Sequence, residues 1–424
     1  MSNNQINALS VTGPAKSWAW YDFANSSYVL IYQSFLLPVL LSGSGDESWL
    51  SLGSWGLING LSTVLGVLAS TILGMVADKN YRLRVLKFLV FTSFVGMCGI
   101  SIAVEVATIY LPYIYLFTNA SFVATIALSD SALPFLTKTH QDVFRISGFG
   151  WGFGYLGGIL CLLIVLAVQR LTTDFSFGAF ISVALFFGIF SYKSLRGLRG
   201  VELNEKNGLG HEITNSIEPI RPSKSKIMFL VGAWLIAEGI TVTILFFSTF
   251  ASSELKLSAN QIAQILLLIQ LIAFPATWIG GHVASTVAQS SQNSPTRMLG
   301  WSIVIWVFLI CFLSLTVRDI FGLYIVAILT GLVIGNTQSL LRAFYSVLVD
   351  RKAAGYQFGF YAIITQAAVL VGPWMYGHAS DFLNSQRIPM LFVAASMSIG
   401  YFVIWRGLKS GYLISTTENI TTSK

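Results

Sequence analysis

The chain is predicted to be an all-α integral membrane protein, with twelve transmembrane helices in two pseudo-symmetric six-helix halves. Three observations predict this. Of its 424 residues 54% are hydrophobic and 10% charged, against about 25% charged in soluble domains, and the mean hydropathy is +0.71. The apolar residues gather into runs of about the 20 residues a spanning helix needs. One sizeable hydrophilic interval, 196–226, separates six such runs from six more.

In chain order the first set of runs is 18–42, 50–77, 85–106, 110–137, 146–168 and 177–195. The first carries Asp22 and Asn25 into a stretch expected to lie in hydrocarbon, where a charge costs roughly 2.5 kcal/mol or more and so is used or paired. The second and third flank a short charged turn. The fourth holds Asp130 four residues before Pro134, whose ring removes a backbone hydrogen bond and can kink a helix. In the fifth, Gly148, Gly150, Gly152, Gly154 and Gly158 form small-x-x-x-small pairs that let backbones pack closely.

Residues 196–226, with Asn204, Gly208, Gly210, Pro219 and Pro222, read as a linker. They divide the chain into 1–195, the linker, and 227–424 with its short tail. The second set of runs is 227–251, 261–284, 298–317, 321–348, 356–378 and 388–407. Glu238 sits near the middle of the seventh, Gln338 and Arg342 share a face of the tenth, and Trp374 and His378 lie in the eleventh. An echo joins the halves: Asp142 precedes Phe149-Gly-Trp, and Asp350 precedes Phe358-Gly-Phe.

Orientation follows from the cations. With both termini inside, 21 of the 25 Lys and Arg fall in inner segments, leaving Arg170, Lys256, Arg318 and Arg387 outside. The net charge of +7 is therefore a topology signal, and the lipid bilayer with its anionic inner leaflet is partner enough for it. Nucleic acid is not an expected partner. The first 17 residues lack the pattern of a cleaved signal peptide. Cys98, Cys161 and Cys311 are unrelated in spacing and read as apolar filler, and no nucleotide, hydrolase or metal motif occurs. No catalytic residue, metal or cofactor is expected, and energy must come from a gradient.

The segment Gly74-Met-Val-Ala-Asp78-Lys-Asn-Tyr-Arg82-Leu-Arg84 resembles the loop between helices two and three of the major facilitator superfamily. The resemblance implies that fold and a cytoplasmic gate: Gly74 lets helix ends approach, Asp78 caps or pairs across the interface, and Arg82 and Arg84 sit at the anionic face. The matching place in the second half, Gly280-Gly-His282, lacks the acid. Trp18-x-x-Tyr21-Asp22-Phe23-Ala24-Asn25-Ser26, the glycine-rich 147–158 segment, Gly335-Asn-Thr-Gln338-x-x-x-Arg342, Gly359-x-Tyr361 and Gly372-Pro373 resemble the branch of vacuolar, autophagy-related amino-acid effluxers and their bacterial relatives. The chain departs from that branch at Asp130, where Asn is expected.

These residues support a transporter working by alternating access. Asp22, Asn25, Gln338, Arg342 and Trp374 are candidate substrate contacts, Glu238 and Asp130 candidate proton-coupling groups. Alternatives stand beside each: Asp22 as a cap or gate near the helix start, Asp130 as a permanent partner of Arg342, Arg342 as a clamp for a substrate carboxylate or a gate ion pair. Glu105 and Lys87 read as interfacial, and His378 as solvated. Trp18, Trp20, Trp49 and Trp55 read as interface anchors, whereas Trp151 and Trp374 can face a cavity. The favoured function is proton-coupled export of small zwitterions such as neutral amino acids, by a monomer in a cell inner membrane or a vacuole-like membrane. Uptake or exchange of another polar or amphipathic solute is the alternative, and a non-transporting sensor the remote one.

Overall fold

The computed structural model describes residues 11, 13–37, 52–137, 139–171, 175–201, 223–290 and 294–421. The predicted linker (at 202–222), residues 1–10, Trp49, Lys138 and the Trp55 side chain lie outside that description. Helices follow one another as α1 (Gly13–Ser27, continued by a π-type segment Tyr28–Leu36), α2 (Leu52–Val76), α3 (Arg82–Val106), α4 (Leu111–Asp130), α5 (His140–Leu171) and α6 (Phe175–Gly197). Then come α7 (Lys224–Ser253), α8 (Ala259–Ser290), α9 (Ser294–Leu315), α10 (Ile320–Leu348), α11 (Ala354–Leu383) and α12 (Arg387–Thr421). The all-α membrane architecture is the one predicted. Ten stretches of described residues are long and apolar enough to cross a membrane; one, Leu57–Val106, contains both α2 and α3, and α1 is not among them.

Local chemistry sets the helix ends. Ser223, Asp319 and Asp350 accept backbone N–H groups of Lys226, Gly322 and Lys352, which satisfies donors a helix start leaves free. The α2–α3 turn passes through Asn80 at φ 69°, a left-handed conformation that asparagine tolerates better than most residues. Pro275 and Pro373 lie inside α8 and α11, tolerable where neighbouring helices cover the backbone groups that proline frees.

The packing repeats itself. Helix α1 packs on α5 and α6 as α7 does on α11 and α12; α2 packs on α4 as α8 does on α10; α3 packs on α4 and α6 as α9 does on α10 and α12. The pairs α2–α11 and α5–α8 join the two sets. One buried apolar cluster is drawn wholly from between Tyr21 and Leu195. Large apolar side chains such as Phe117, Trp301 and Phe382 face outward, as expected where hydrocarbon is the solvent.

Three expectations are corrected. Asp130 is the last residue of α4, not an interior residue above a kink, because the chain passes into 3₁₀ turns at Leu133–Phe135 where Pro134 has no N–H to continue an α-helix. Trp18 is no interface anchor: its ring is fully buried and its indole N–H donates to the Ser129 carbonyl at 2.8 Å, which also accepts the Ala132 N–H at the end of α4. Helix α11 runs on to Leu383, beyond the predicted end at 378, while His378 is exposed as expected, with Nδ1 2.9 Å from the Trp374 carbonyl.

Candidate functional site: a buried ion triad and a glycine-sealed end

Three helices deliver charge to one buried point. Arg342 of α10 places Nη1 3.0 Å from Asp22 of α1 and 3.0 Å from Asp130 of α4, with the hydrogen bond directed to Asp130. Its remaining donors reach α5: Nε donates to Ser147 Oγ at 3.0 Å and Nη2 to the Ser147 carbonyl at 2.9 Å. Ser147 Oγ donates in turn to the Ser339 carbonyl, one turn before Arg342. Trp18 and Trp151 lie against the guanidinium at 4.7 and 5.5 Å, a placement that attracts a cation to each ring. Asn25 extends the cluster, donating to Asp22 at 3.5 Å.

Space for the triad comes from a missing side chain. A Cβ at Gly150 would strike Asp22 Oδ2 and come within 2.7 Å of Trp18 and 3.0 Å of Arg342. The α5 glycines sort onto two faces. Gly150, Gly154, Gly157 and Gly158 meet α1, while Gly148 and Gly152 meet α8, where a Cβ on Gly281 would lie 2.7 Å from the Gly148 Cα.

The crossing of α2 and α11 has the same construction. A Cβ at Gly74 would run into the Gly355 backbone, and one at Gly359 into Thr71. Asp78 accepts the N–H groups of Gly355 at 2.8 Å and Tyr356 at 2.9 Å, the first turn of α11, and pairs with Arg82 at 2.7 Å. Arg82 is buried, donates to Ser131 and lies 5.0 Å from the Phe135 ring. An acid at a helix N-terminus is electrostatically favoured; here it ties α11 to the α2–α3 turn. Arg84 stands apart, exposed, 5.4 Å from the Tyr81 ring. The two glycine crossings and the triad therefore close the end of the bundle that carries the α2–α3 turn.

Other candidates fall elsewhere. Glu238 on α7 is half-buried with its Cγ against Gly372 of α11, and it has no hydrogen-bond or ion-pair partner among the described residues. Gln338, a turn before Arg342, accepts from Tyr155 at 3.3 Å. Trp374 is exposed, its ring 4.7 Å from that of His378 and tilted to it by 42°, and does not join the triad. Glu105, in the last turn of α3, accepts the Phe177 N–H at the start of α6.

Sequence reasoning passed over Ser147, Tyr155 and the role of Trp18. Also unforeseen is an uncharged network in which Tyr115 and Gln33 donate to Asn59 at 2.7 Å each, and Asn119 donates to Ser62 at 2.7 Å while accepting from Tyr28. A signal existed: Asn59 and Asn119 are amides within apolar runs.

Residues 54–407 match the family model described as vacuole effluxer Atg22 like. A Bacillus subtilis protein described as the uncharacterized MFS-type transporter YxiO is 25% identical over 93% of this chain and 94% of its own. Autophagy-related protein 22 of Kluyveromyces lactis is 22% identical over 94% of this chain and 82% of its own. The crystal structure of the major facilitator superfamily transporter FucP, in the outward conformation, superposes with a TM-score of 0.70 at 14% identity, covering 93% of this chain and 98% of that one, a likeness of fold.

Proposed function

This chain belongs to the Atg22-like vacuole effluxer family of major facilitator transporters, and on that premise we propose that it is a proton-coupled secondary transporter that exports small zwitterions, neutral amino acids foremost, by alternating access. In this reading the halves 1–195 and 227–424 rock about a central path, with both termini cytoplasmic in a cell inner or vacuole-like membrane.

The observation that carries the reading is the sharing of one buried guanidinium by two carboxylates from different helices. Two ionised acids and one arginine leave a single negative charge. Burial makes that residual charge unfavourable, so one proton on Asp130 or Asp22 neutralises the cluster and loosens one of its two ties. Arg342 joins α10 to α1, α4 and α5; loosening it weakens closure of that end. The glycine crossings at 74/355 and 148/281 supply backbone contacts over which helices can rock, and Asp78 with Arg82 acts as the gate. Glu238, without a cationic partner among the described residues, supports a second proton site or a seat for a substrate ammonium. Gln338 and Asn25 supply neutral polar contacts, with Trp374 at the exposed margin of the path.

A second reading is favoured by one feature. Both of the triad's acids already engage Arg342, so a substrate carboxylate would have to displace one of them. A polar or amphipathic solute lacking a carboxylate would not.

Purified protein in proteoliposomes with an imposed pH gradient, offered a mixed pool of labelled amino acids, tests the proposal, with Asp130→Asn and Glu238→Gln in parallel. Gradient-driven movement of a neutral amino acid, uncoupled in either variant, is the expected result. Folded protein that moves none of them would overturn the amino-acid assignment in favour of another solute, and movement indifferent to the gradient would overturn the coupling.

A further inference from the structure

Away from the triad, on the outer wall of the bundle, α3 and α6 leave a groove of about 460 Å³. Its lining is graded along its length. At the end nearest the α2–α3 turn stand Lys87 from the first turns of α3, and Arg196 and Arg199 from the end of α6 and just beyond it. None of these cations has an acidic partner among the described residues. Toward the other end the walls become wholly apolar, with Phe91 and Phe94 on α3 facing Leu185 and Ile189 on α6. Gly188 lets the helices close beneath them, since a Cβ there would lie 2.7 Å from the Phe94 ring. Tyr192 stands between the two zones, its ring largely exposed.

The spacing makes this one continuous surface. Gly188, Tyr192 and Arg196 follow at intervals of four on α6, as Lys87 and Phe91 do on α3, so each helix presents a single stripe that changes from charged to apolar. Phe91 and Ile189 are 64% and 61% exposed, in stretches long and apolar enough to cross a membrane, where exposed apolar side chains meet hydrocarbon. Cations gathered at the membrane boundary above such a stripe face lipid headgroups, not a protein core.

We propose that this α3–α6 groove is a binding site for an anionic phospholipid, its headgroup phosphate held by Lys87, Arg196 and Arg199 and one acyl chain laid along Phe91, Phe94, Leu185 and Ile189. The charge at the mouth and the apolar floor below it match the two ends of that molecule. A free phosphate satisfies only the mouth and a neutral lipid only the floor. The groove belongs to neither the triad nor the α2–α11 crossing, so its occupant reaches the transport path only through α3 and α6.

Native mass spectrometry of the purified full-length protein, titrated with phosphatidylglycerol and in parallel with phosphatidylcholine, tests this. Each basic residue contributes about fivefold to affinity for an anionic lipid, so K87Q/R196Q/R199Q should weaken phosphatidylglycerol binding about a hundredfold. The matched triple K224Q/R297Q/R406Q, which removes three exposed cations elsewhere on the chain, should leave it unchanged. Ile189→Trp keeps every charge and fills the floor on a lipid-facing surface, and it too should reduce binding. Equal losses in the two triples would overturn the site in favour of diffuse surface charge. Equal retention of phosphatidylcholine, or displacement of the lipid by millimolar inorganic phosphate, would overturn the assignment to an anionic phospholipid.

Discussion

The carboxylate of Asp78 accepts the backbone N–H of Gly355 at 2.8 Å, joining positions 277 residues apart. This contact exists only because Gly74 and Gly355 carry no side chains where α2 meets α11. Asp78→Asn keeps a carbonyl acceptor but loses the charge that binds both α11 and Arg82. Charge-assisted hydrogen bonds contribute about 1.5–3 kcal/mol each, so closure of this end should weaken by tenfold or more. Spin labels on the α2–α3 turn and the start of α11, read by pulsed electron resonance, should show a larger separated population.

Gly150 and Gly99 make a matched pair. A Cβ at Gly99 meets only Ile114 at 3.5 Å, ordinary van der Waals contact, whereas one at Gly150 intrudes on Asp22, Trp18 and Arg342. Gly99→Ala should hold or raise the melting temperature, since alanine favours a helix by about 0.5–1 kcal/mol over glycine. Gly150→Ala should lower it and abolish transport. Thermal unfolding of the two variants in the same detergent gives the comparison.

Removing the arginine should be worse than removing all three charges together. Arg342→Met leaves Asp22 and Asp130 facing each other without a counter-ion, and breaking a buried pair this way costs about 3–5 kcal/mol. Asp22→Asn and Asp130→Asn added to Arg342→Met should recover most of the lost stability while leaving transport dead. Melting curves of the single and triple variants, set beside flux in vesicles, would separate the structural role from the coupling role.

Glu238 should behave in the opposite way. With no ion pair or hydrogen bond to lose among the described residues, Glu238→Gln should not lower stability and should raise it wherever the acid is ionised, since an unpaired charge within a spanning helix is costly. The loss should fall on gradient-driven flux alone, measured by counterflow with and without a pH difference.

The fold was legible because the bilayer forces a repeated, nearly binary pattern on the sequence. The polar residues were found for the same reason: Asp22, Asp130, Glu238 and Arg342 stand out against apolar neighbours. Their mutual arrangement was not legible, since convergence on Arg342 depends on packing among α1, α4, α5 and α10 that no local spacing encodes. Trp18 was misread because a tryptophan near a helix end fits an interface belt and a buried cation contact equally well. Asp130 was misplaced because Pro134 can kink a helix or end it, and here the chain passes into 3₁₀ turns.

The triad also bears on how the protein is made. Asp130 precedes its arginine by 212 residues, which at synthesis rates of 5–20 residues per second is a wait of roughly 10–40 s. Throughout that interval α1 and α4 hold two acids without that counter-ion, and carboxylates enclosed in a spanning bundle are kept paired or wetted. The amino-terminal helices therefore pass through a period in which water, lipid headgroups or a membrane chaperone must shelter those carboxylates. The emergence of α10 ends that dependence.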